Sequence, residues 1–86
     1  MEIATTMVKF LYPKKAMEKK TERAQLFLSR EAEGFIKVWV PLKKLHITEN
    51  GDCNEVIMPK WVFFKSELPC MVSHFDEFIV TTEIQF

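Results

Sequence analysis

The chain has 86 residues, of which 48% are hydrophobic and 28% are charged, and its formal net charge is zero. This composition is typical of one small folded domain spanning residues 1–86, and the lack of a run of 18 apolar residues excludes a membrane-spanning helix. The N-terminal residues lack the apolar segment of a signal peptide, and two cysteines are too few for a disulfide framework. We therefore expect a cytoplasmic protein with reduced thiols that does not bind a membrane.

The charges are unevenly distributed along the chain. Residues 1–44 contain ten Lys and Arg against five Asp and Glu, whereas residues 45–86 contain two against seven. Such a split either steers a charged partner or is cancelled when the fold brings the two halves together.

The first half of the chain predicts a strand, a basic segment and a hairpin. Residues 5–12 are rich in β-branched and aromatic residues and end at Pro13, which is typical of a strand. The segment that follows has too few apolar residues to bury a helical face, so we expect an exposed loop or a short helical turn. Residues 24–31 and 35–40 then alternate between apolar and polar and predict two paired strands, joined by a turn at Gly34.

The second half predicts another hairpin, a helix and a final strand. An Asn-Gly pair at positions 50 and 51 favours a type I′ turn between strands at 44–48 and 53–58. Pro59 suits the first turn of a helix, in which Trp61, Phe64 and Leu68 would form the apolar face. Residues 78–86 alternate regularly and predict a strand that extends to the last residue.

These elements predict a β-rich α+β fold with five or six mostly antiparallel strands and one short helix. A sheet this short must curl or be covered, so a twisted sheet or a small half-open barrel is expected. We expect the last strand to pair with residues 5–12, which would neutralise much of the charge split and hide an apolar edge. The alternative is that this strand lies at the sheet edge and pairs with a copy of itself, giving a homodimer.

Trp39 is the most informative aromatic residue because its strand carries apolar side chains on both faces. We expect strand 35–41 to be central and Trp39 to be buried under the helix, since aromatic side chains chiefly stabilise small cores. In the alternative, Trp39 and Phe27 form an exposed aromatic platform beside Lys37, Lys43 and Lys44, which would suit stacked bases.

The sequence offers no convincing catalytic or metal-binding motif. Glycine occurs only at positions 34 and 51, so there is no phosphate loop, and we expect no enzyme activity and no cofactor. Two His and two Cys could in number form a zinc site, but their spacing lacks the close cysteine pair of most zinc sites. We therefore expect the cysteines to be ordinary reduced thiols and the histidines to be surface imidazoles. These residues are His46, Cys53, Cys70 and His74.

Residues 19–62 contain the successive segments KKTERAQLFL, IKVWVPLKKLHI and EVIMPKWV. In this pattern a T-x-x-A strand precedes a strand with a Trp, a hydrophobic residue and Pro, and a second Pro/Trp segment follows. The pattern resembles short uncharacterised proteins of bacteriophages and prophages. The resemblance implies a phage protein acting in the bacterial cytoplasm, with no defined activity.

Two functional hypotheses follow. In the first, the protein is a small non-enzymatic binding protein that inhibits a host protein, such as a defence component, by direct contact. In the second, it is an OB-like module that binds nucleic acid or a nucleotide. The candidate partner-binding residues are Lys9, Lys14, Lys15, Lys19, Lys20, Arg23, Phe27 and Trp39.

Overall fold

The computed structural model describes residues 2–31 and 34–83, and these residues form six strands, two short α-helices and two 3-10 helices. The 3-10 helices are Lys14–Met17 and Leu42–Lys44, and the α-helices are α1, Lys60–Lys65, and α2, Leu68–Met71. The strands are β1, Glu2–Pro13; β2, Ala24–Glu31; β3, Gly34–Pro41; β4, His46–Asn50; β5, Cys53–Pro59; and β6, Asp76–Glu83.

The strands divide between two antiparallel sheets. Four strands form one sheet in the order β4-β5-β1-β6, and β2 pairs with β3 in a separate two-stranded sheet. The prediction of a β-rich, mostly antiparallel fold with short helical structure is therefore confirmed. No helix in the described part of the chain is long and apolar enough to span a bilayer.

The core lies between the two sheets and is closed by the short helices. Because strand residues alternate between faces, Val8, Phe10 and Tyr12 share the inner face of β1, and all three are buried. Phe27 from β2 and Phe63 from α1 pack against Phe10 as tilted ring pairs. The Tyr12 hydroxyl donates a hydrogen bond of 2.7 Å to the carbonyl of Leu28 in β2, which ties one sheet to the other.

The predicted pairing of the last strand with the first is confirmed for the described residues. β6 runs antiparallel to β1 with Glu83 opposite Glu2 and Asp76 opposite Lys9, so acidic and basic segments meet at one end. The predicted continuation through residues 84–86 lies outside the described residues. The expectation that this pairing hides an apolar edge is wrong, because β6 is itself the edge strand of the four-stranded sheet.

Both predicted hairpins are present, with one change in turn type. β2 pairs with β3 over the predicted residues, but Gly34 is the first residue of β3, opposite Glu31, and does not lie in the turn as predicted. Positions 32 and 33 of the predicted turn lie outside the described residues. β4 pairs with β5 around Gly51 and Asp52. Gly51 has φ of 63°, but Asp52 is not in the positive-φ region, which excludes a type I′ turn. A positive φ at the first loop position only is the requirement of a type II′ turn.

The expectation that strand 35–41 is central and Trp39 buried is wrong. β3 belongs to the two-stranded sheet, and its inner face supplies Val38 and Val40 to the core. Trp39 lies on the opposite face of the strand, and half of its surface (50%) is exposed. A two-stranded sheet covers the core with one face only, so the other face of β3 is left to solvent.

The predicted apolar face of the helix is also wrong. Trp61 and Phe64 are exposed, whereas their neighbours Val62 and Phe63 are buried in the core. The helix ends at Lys65, where the Ser66 hydroxyl donates to the Phe63 carbonyl and accepts from the Leu68 amide. Leu68 is therefore buried as part of α2, and Pro69 lies in the first turn of that helix instead of ending α1.

Candidate binding surface

The structure separates the eight predicted partner-binding residues. Phe27 is fully buried (0% exposed) at the centre of the core, so its prediction as a binding residue and as part of an exposed platform is wrong. Its side chain points inward because Phe27 pairs with Val38 on the inner face of the two-stranded sheet. Trp39, on the outer face of the same sheet, is open to a partner.

Two of the predicted basic residues face acidic groups of the same chain. Lys9 is opposite Asp76 in the β1–β6 register. The Lys14 ammonium lies 3.8 Å from a Glu49 carboxylate oxygen. The remaining predicted basic residues are exposed on the segment between β1 and β2 or on the preceding 3-10 helix: Lys15, Lys19, Lys20 and Arg23.

Arg23 is the predicted basic residue that the structure brings next to Trp39. Both line a surface groove together with Lys43 and Leu42. The Arg23 carbonyl accepts a hydrogen bond of 2.8 Å from the Leu42 amide, and this bond fixes the start of β2 against the end of β3. The groove is thus built from a hydrogen-bonded part of the fold.

Helix α1 contributes two more exposed aromatic rings. Because Val62 and Phe63 enter the core, Trp61 and Phe64, three residues apart, share the outer side of the helix. Trp61 is 55% exposed. The ammonium groups of Lys44 and Lys65 lie 5.5 and 5.8 Å from the centre of its ring, and that of Lys60 lies 5.8 Å from the Phe64 ring centre. These distances are in the range of cation–π contacts.

Three adjoining grooves join these side chains into one surface. The groove beside Arg23 shares Trp39 with a second groove, which extends to Trp61 and Lys65. A third groove continues from Trp61 to Phe64 and to Thr5 of β1. We call this surface the aromatic–lysine stripe: it comprises the rings of Trp39, Trp61 and Phe64 and the basic side chains of Arg23, Lys37, Lys43, Lys44, Lys60 and Lys65.

The stripe has a positive charge on a molecule with no net charge. Its six basic side chains compare with three acidic ones, Glu22 and Glu67 in the grooves and Glu77. Glu77 is bound to Lys60 at 2.8 Å. The excess of positive charge favours a partner with an acidic surface.

The stripe offers binding groups and no reactive group. Exposed rings beside cations provide apolar contact area and attract anions, but they do not activate a nucleophile or transfer a proton. Within the described residues, His46, Cys53, Cys70 and His74 do not assemble into a metal site, and no group of three or more His, Cys, Asp or Glu side chains is placed to hold a metal ion. Burial raises the pKa of the Tyr12 phenol, and this group belongs to the core.

Sequence reasoning missed the part of the stripe on α1. The segment KWVFFK has four consecutive apolar residues, so its pattern does not say which of them face the core. The available signal was the spacing of Trp61 and Lys65, which places a cation over the ring when that face is exposed. No family model, curated protein or solved structure matches this chain.

Proposed function

We propose that the protein is a non-enzymatic binding module that holds another protein through the aromatic–lysine stripe. The observation that supports this function is the continuous exposure of Trp39, Trp61 and Phe64 on one surface. Tryptophan is among the residues that most often supply binding energy at the centre of an interface. The surrounding cations would form a charged rim that selects an acidic partner surface.

A protein partner is favoured over nucleic acid by the state of the Trp61 ring. Stacking a base requires an open ring face, whereas Lys44 and Lys65 both lie over this ring. The zero net charge also differs from the basic surplus that most nucleic-acid-binding proteins present.

Nucleic-acid or nucleotide binding is the second candidate function, and the surroundings of Trp39 favour it. In the described part of the chain, no cation covers this half-exposed ring, and Arg23, Lys37 and Lys43 line the grooves beside it. An open ring with flanking cations is the arrangement that single-strand-binding proteins use.

We infer that this binding module acts as an inhibitor, by covering a surface that its partner needs. The phage resemblance suggests a bacterial host protein, such as a defence component, as the target in the cytoplasm. The comparisons returned no relative, so this setting stays a prediction.

The test is affinity capture from bacterial lysate, with and without nuclease, using the parent, two Trp variants and one control variant. Trp39→Ala and Trp61→Ala each remove one exposed ring of the stripe. Leu11→Ala is the matched control because Leu11 is equally exposed but lies on the outer face of the four-stranded sheet.

We expect one protein to be captured by the parent and by Leu11→Ala after nuclease treatment, and to be lost with both Trp variants. Recovery of nucleic acid that depends on Trp39 and falls steeply with added salt would instead establish the second candidate. Equal capture by all four proteins would contradict the stripe as the binding surface.

A further inference from the structure

A second candidate interface lies at the β6 edge of the four-stranded sheet, whose other edge is β4. In the described part of the chain, residues 2–6 of β1 pair with β6 and with no other strand, because pairing with β5 begins only at Met7. Residues 2–6 and 79–83 therefore form a two-stranded ribbon that extends beyond the core. The molecule is correspondingly long, with extents of 49 × 26 × 26 Å.

The ribbon has exposed apolar side chains on both faces. Ile79, at 67%, is the most exposed large hydrophobic side chain of the described residues, and Ile3 and Val80 are exposed as well. A two-stranded ribbon is at best marginally stable in water, and an apolar edge strand is a template for further pairing. These features indicate that another strand pairs with β6.

We propose that this strand is the β6 of a second copy, so that the protein forms a two-fold symmetric dimer with one continuous eight-stranded sheet. The two copies of β6 would be antiparallel, as the edges of two identical molecules must be when they meet around a two-fold axis perpendicular to the sheet. This interface is separate from the groove that Trp39 shares with Arg23.

The charges of β6 permit this self-association. Asp76 is opposite Lys9 in the neighbouring strand, and Glu77 forms an ion pair of 2.8 Å with Lys60 of α1. Glu77 is therefore compensated by an ion pair within one copy and Asp76 lies opposite a cation, while residues 78–82 at the centre of the edge carry no charge. Residues 78–82 offer no acidic side chain to a strongly basic partner strand.

Symmetry and charge together select one register. A two-fold axis perpendicular to the sheet keeps each residue on the same face in both copies, and residues directly opposite each other must share a face. The numbers of two opposed residues therefore differ by an even number, so one residue lies at the axis opposite its own copy. If Val80 lay at the axis, Glu77 of each copy would be opposite Glu83 of the other, which is unfavourable. If Phe78 lay at the axis, only residues 76–80 of β6 would be paired. A centre at Ile79 pairs residues 76–82, places Ile79 against its own copy, and sets no acidic residue opposite another.

The test uses charge exchange at the two-fold axis. Ile79→Lys and Ile79→Glu each bring two like charges together in the dimer, and we expect each to weaken association by about 100-fold or more. An equimolar mixture of the two variants pairs Lys with Glu and should restore a dimer, measured by sedimentation equilibrium from micromolar to millimolar concentration.

A second variant tests the register and does not depend on disrupting the interface. Thr81 lies opposite the partner's Glu77 in the proposed register, so Thr81→Lys should strengthen the dimer several-fold. Thr48→Lys is the matched control because Thr48 is exposed on β4, at the other edge of the same sheet.

Several results would overturn the proposal. A parent that is monomeric at millimolar concentration, variants of Ile79 that remain dimeric, or a mixture that fails to reassociate would each do so. A Thr81→Lys variant that does not strengthen association would reject the register. Lysate capture through Trp39 can succeed or fail independently of these outcomes, so failure of the dimer and failure of the proposed function are distinguishable.

Discussion

Two aromatic residues on neighbouring strands show how the face of the strand decides whether a side chain lies in the core or on the surface. Phe27 and Trp39 belong to β2 and β3, but Phe27 shares the inner face with Val38 while Trp39 is on the outer face. Both were candidate binding residues from the sequence. The structure assigns Phe27 to the core and leaves Trp39 to the surface.

Truncation of these two residues should lower the stability by very different amounts. Phe27→Ala leaves a cavity in the core and should lower the free energy of unfolding by about 3–5 kcal/mol. Trp39→Ala should lower it by no more than about 1 kcal/mol, because the side chain is half exposed. Chemical denaturation of both variants checks this, and a Trp39→Ala loss as large as that of Phe27→Ala would show that the ring packs in the core.

We expect the stability of the fold to depend on pH in the alkaline range because of the Tyr12 hydroxyl. Burial raises the pKa of this phenol above its ordinary value of 10.0 in the folded protein. The unfolded chain therefore loses this proton at a lower pH than the folded chain does. The stability that the protonated phenol contributes is complete below pH 10.0 and is lost as the pH rises from there through the folded-state pKa.

Tyr12→Phe removes both this titration and the hydrogen bond to Leu28. At neutral pH the variant should be less stable by about 1–2 kcal/mol, because a partly buried carbonyl loses this donor. Above pH 10.0 its stability should fall less steeply than that of the parent, because the variant has no phenol at this position to titrate. Parallel slopes in denaturation series across this pH range would contradict the assignment.

At the scale of elements, the sequence predicted strands and their pairing better than it predicted helical faces. The pattern of residues 24–31 and 35–40 repeats every second residue and the Asn-Gly pair marks a turn, so these two hairpin pairings follow from local chemistry. The final strand alternates as regularly, but its pairing with β1 joins opposite ends of the chain. In KWVFFK, any orientation buries two apolar residues. Only packing against Phe10 selects Phe63 for the core.

The same limit explains why the aromatic–lysine stripe could be predicted only in part. Trp39 and Arg23 were identified as candidate residues, but Trp61 and Phe64 were assigned to a buried face. Their position on the surface depends on the break between α1 and α2, which the Ser66 hydroxyl stabilises through Phe63 and Leu68. A continuous helix through Leu68 would have placed the three predicted apolar residues on one side.

At the scale of the whole molecule, β1 belongs to two different environments along its length. Residues 7–13 lie between strands or against the core, whereas residues 2–6 pair with no described strand other than β6, and residues 4–6 line the groove of Trp61 and Phe64. A strand that is packed in the core at one end and paired with a single strand at the other can open locally at its second end. The stability of residues 2–6 should therefore differ from that of residues 7–13, and it can be measured separately from the stability of the whole fold.

Amide hydrogen exchange should therefore show a step along β1 in dilute protein. The inner amides of residues 8–12 should exchange on the order of 100-fold more slowly than those of residues 3–6, because opening the ribbon does not require the core to unfold. If β6 pairs with a second copy, the ribbon amides and those of residues 76–82 should become protected as protein concentration rises, while Ile79→Lys should abolish that gain and leave residues 8–12 unchanged. Uniform protection along β1 at every concentration would show that the ribbon is held as firmly as the core within one molecule, and the division of the strand at Met7 would then have no energetic meaning.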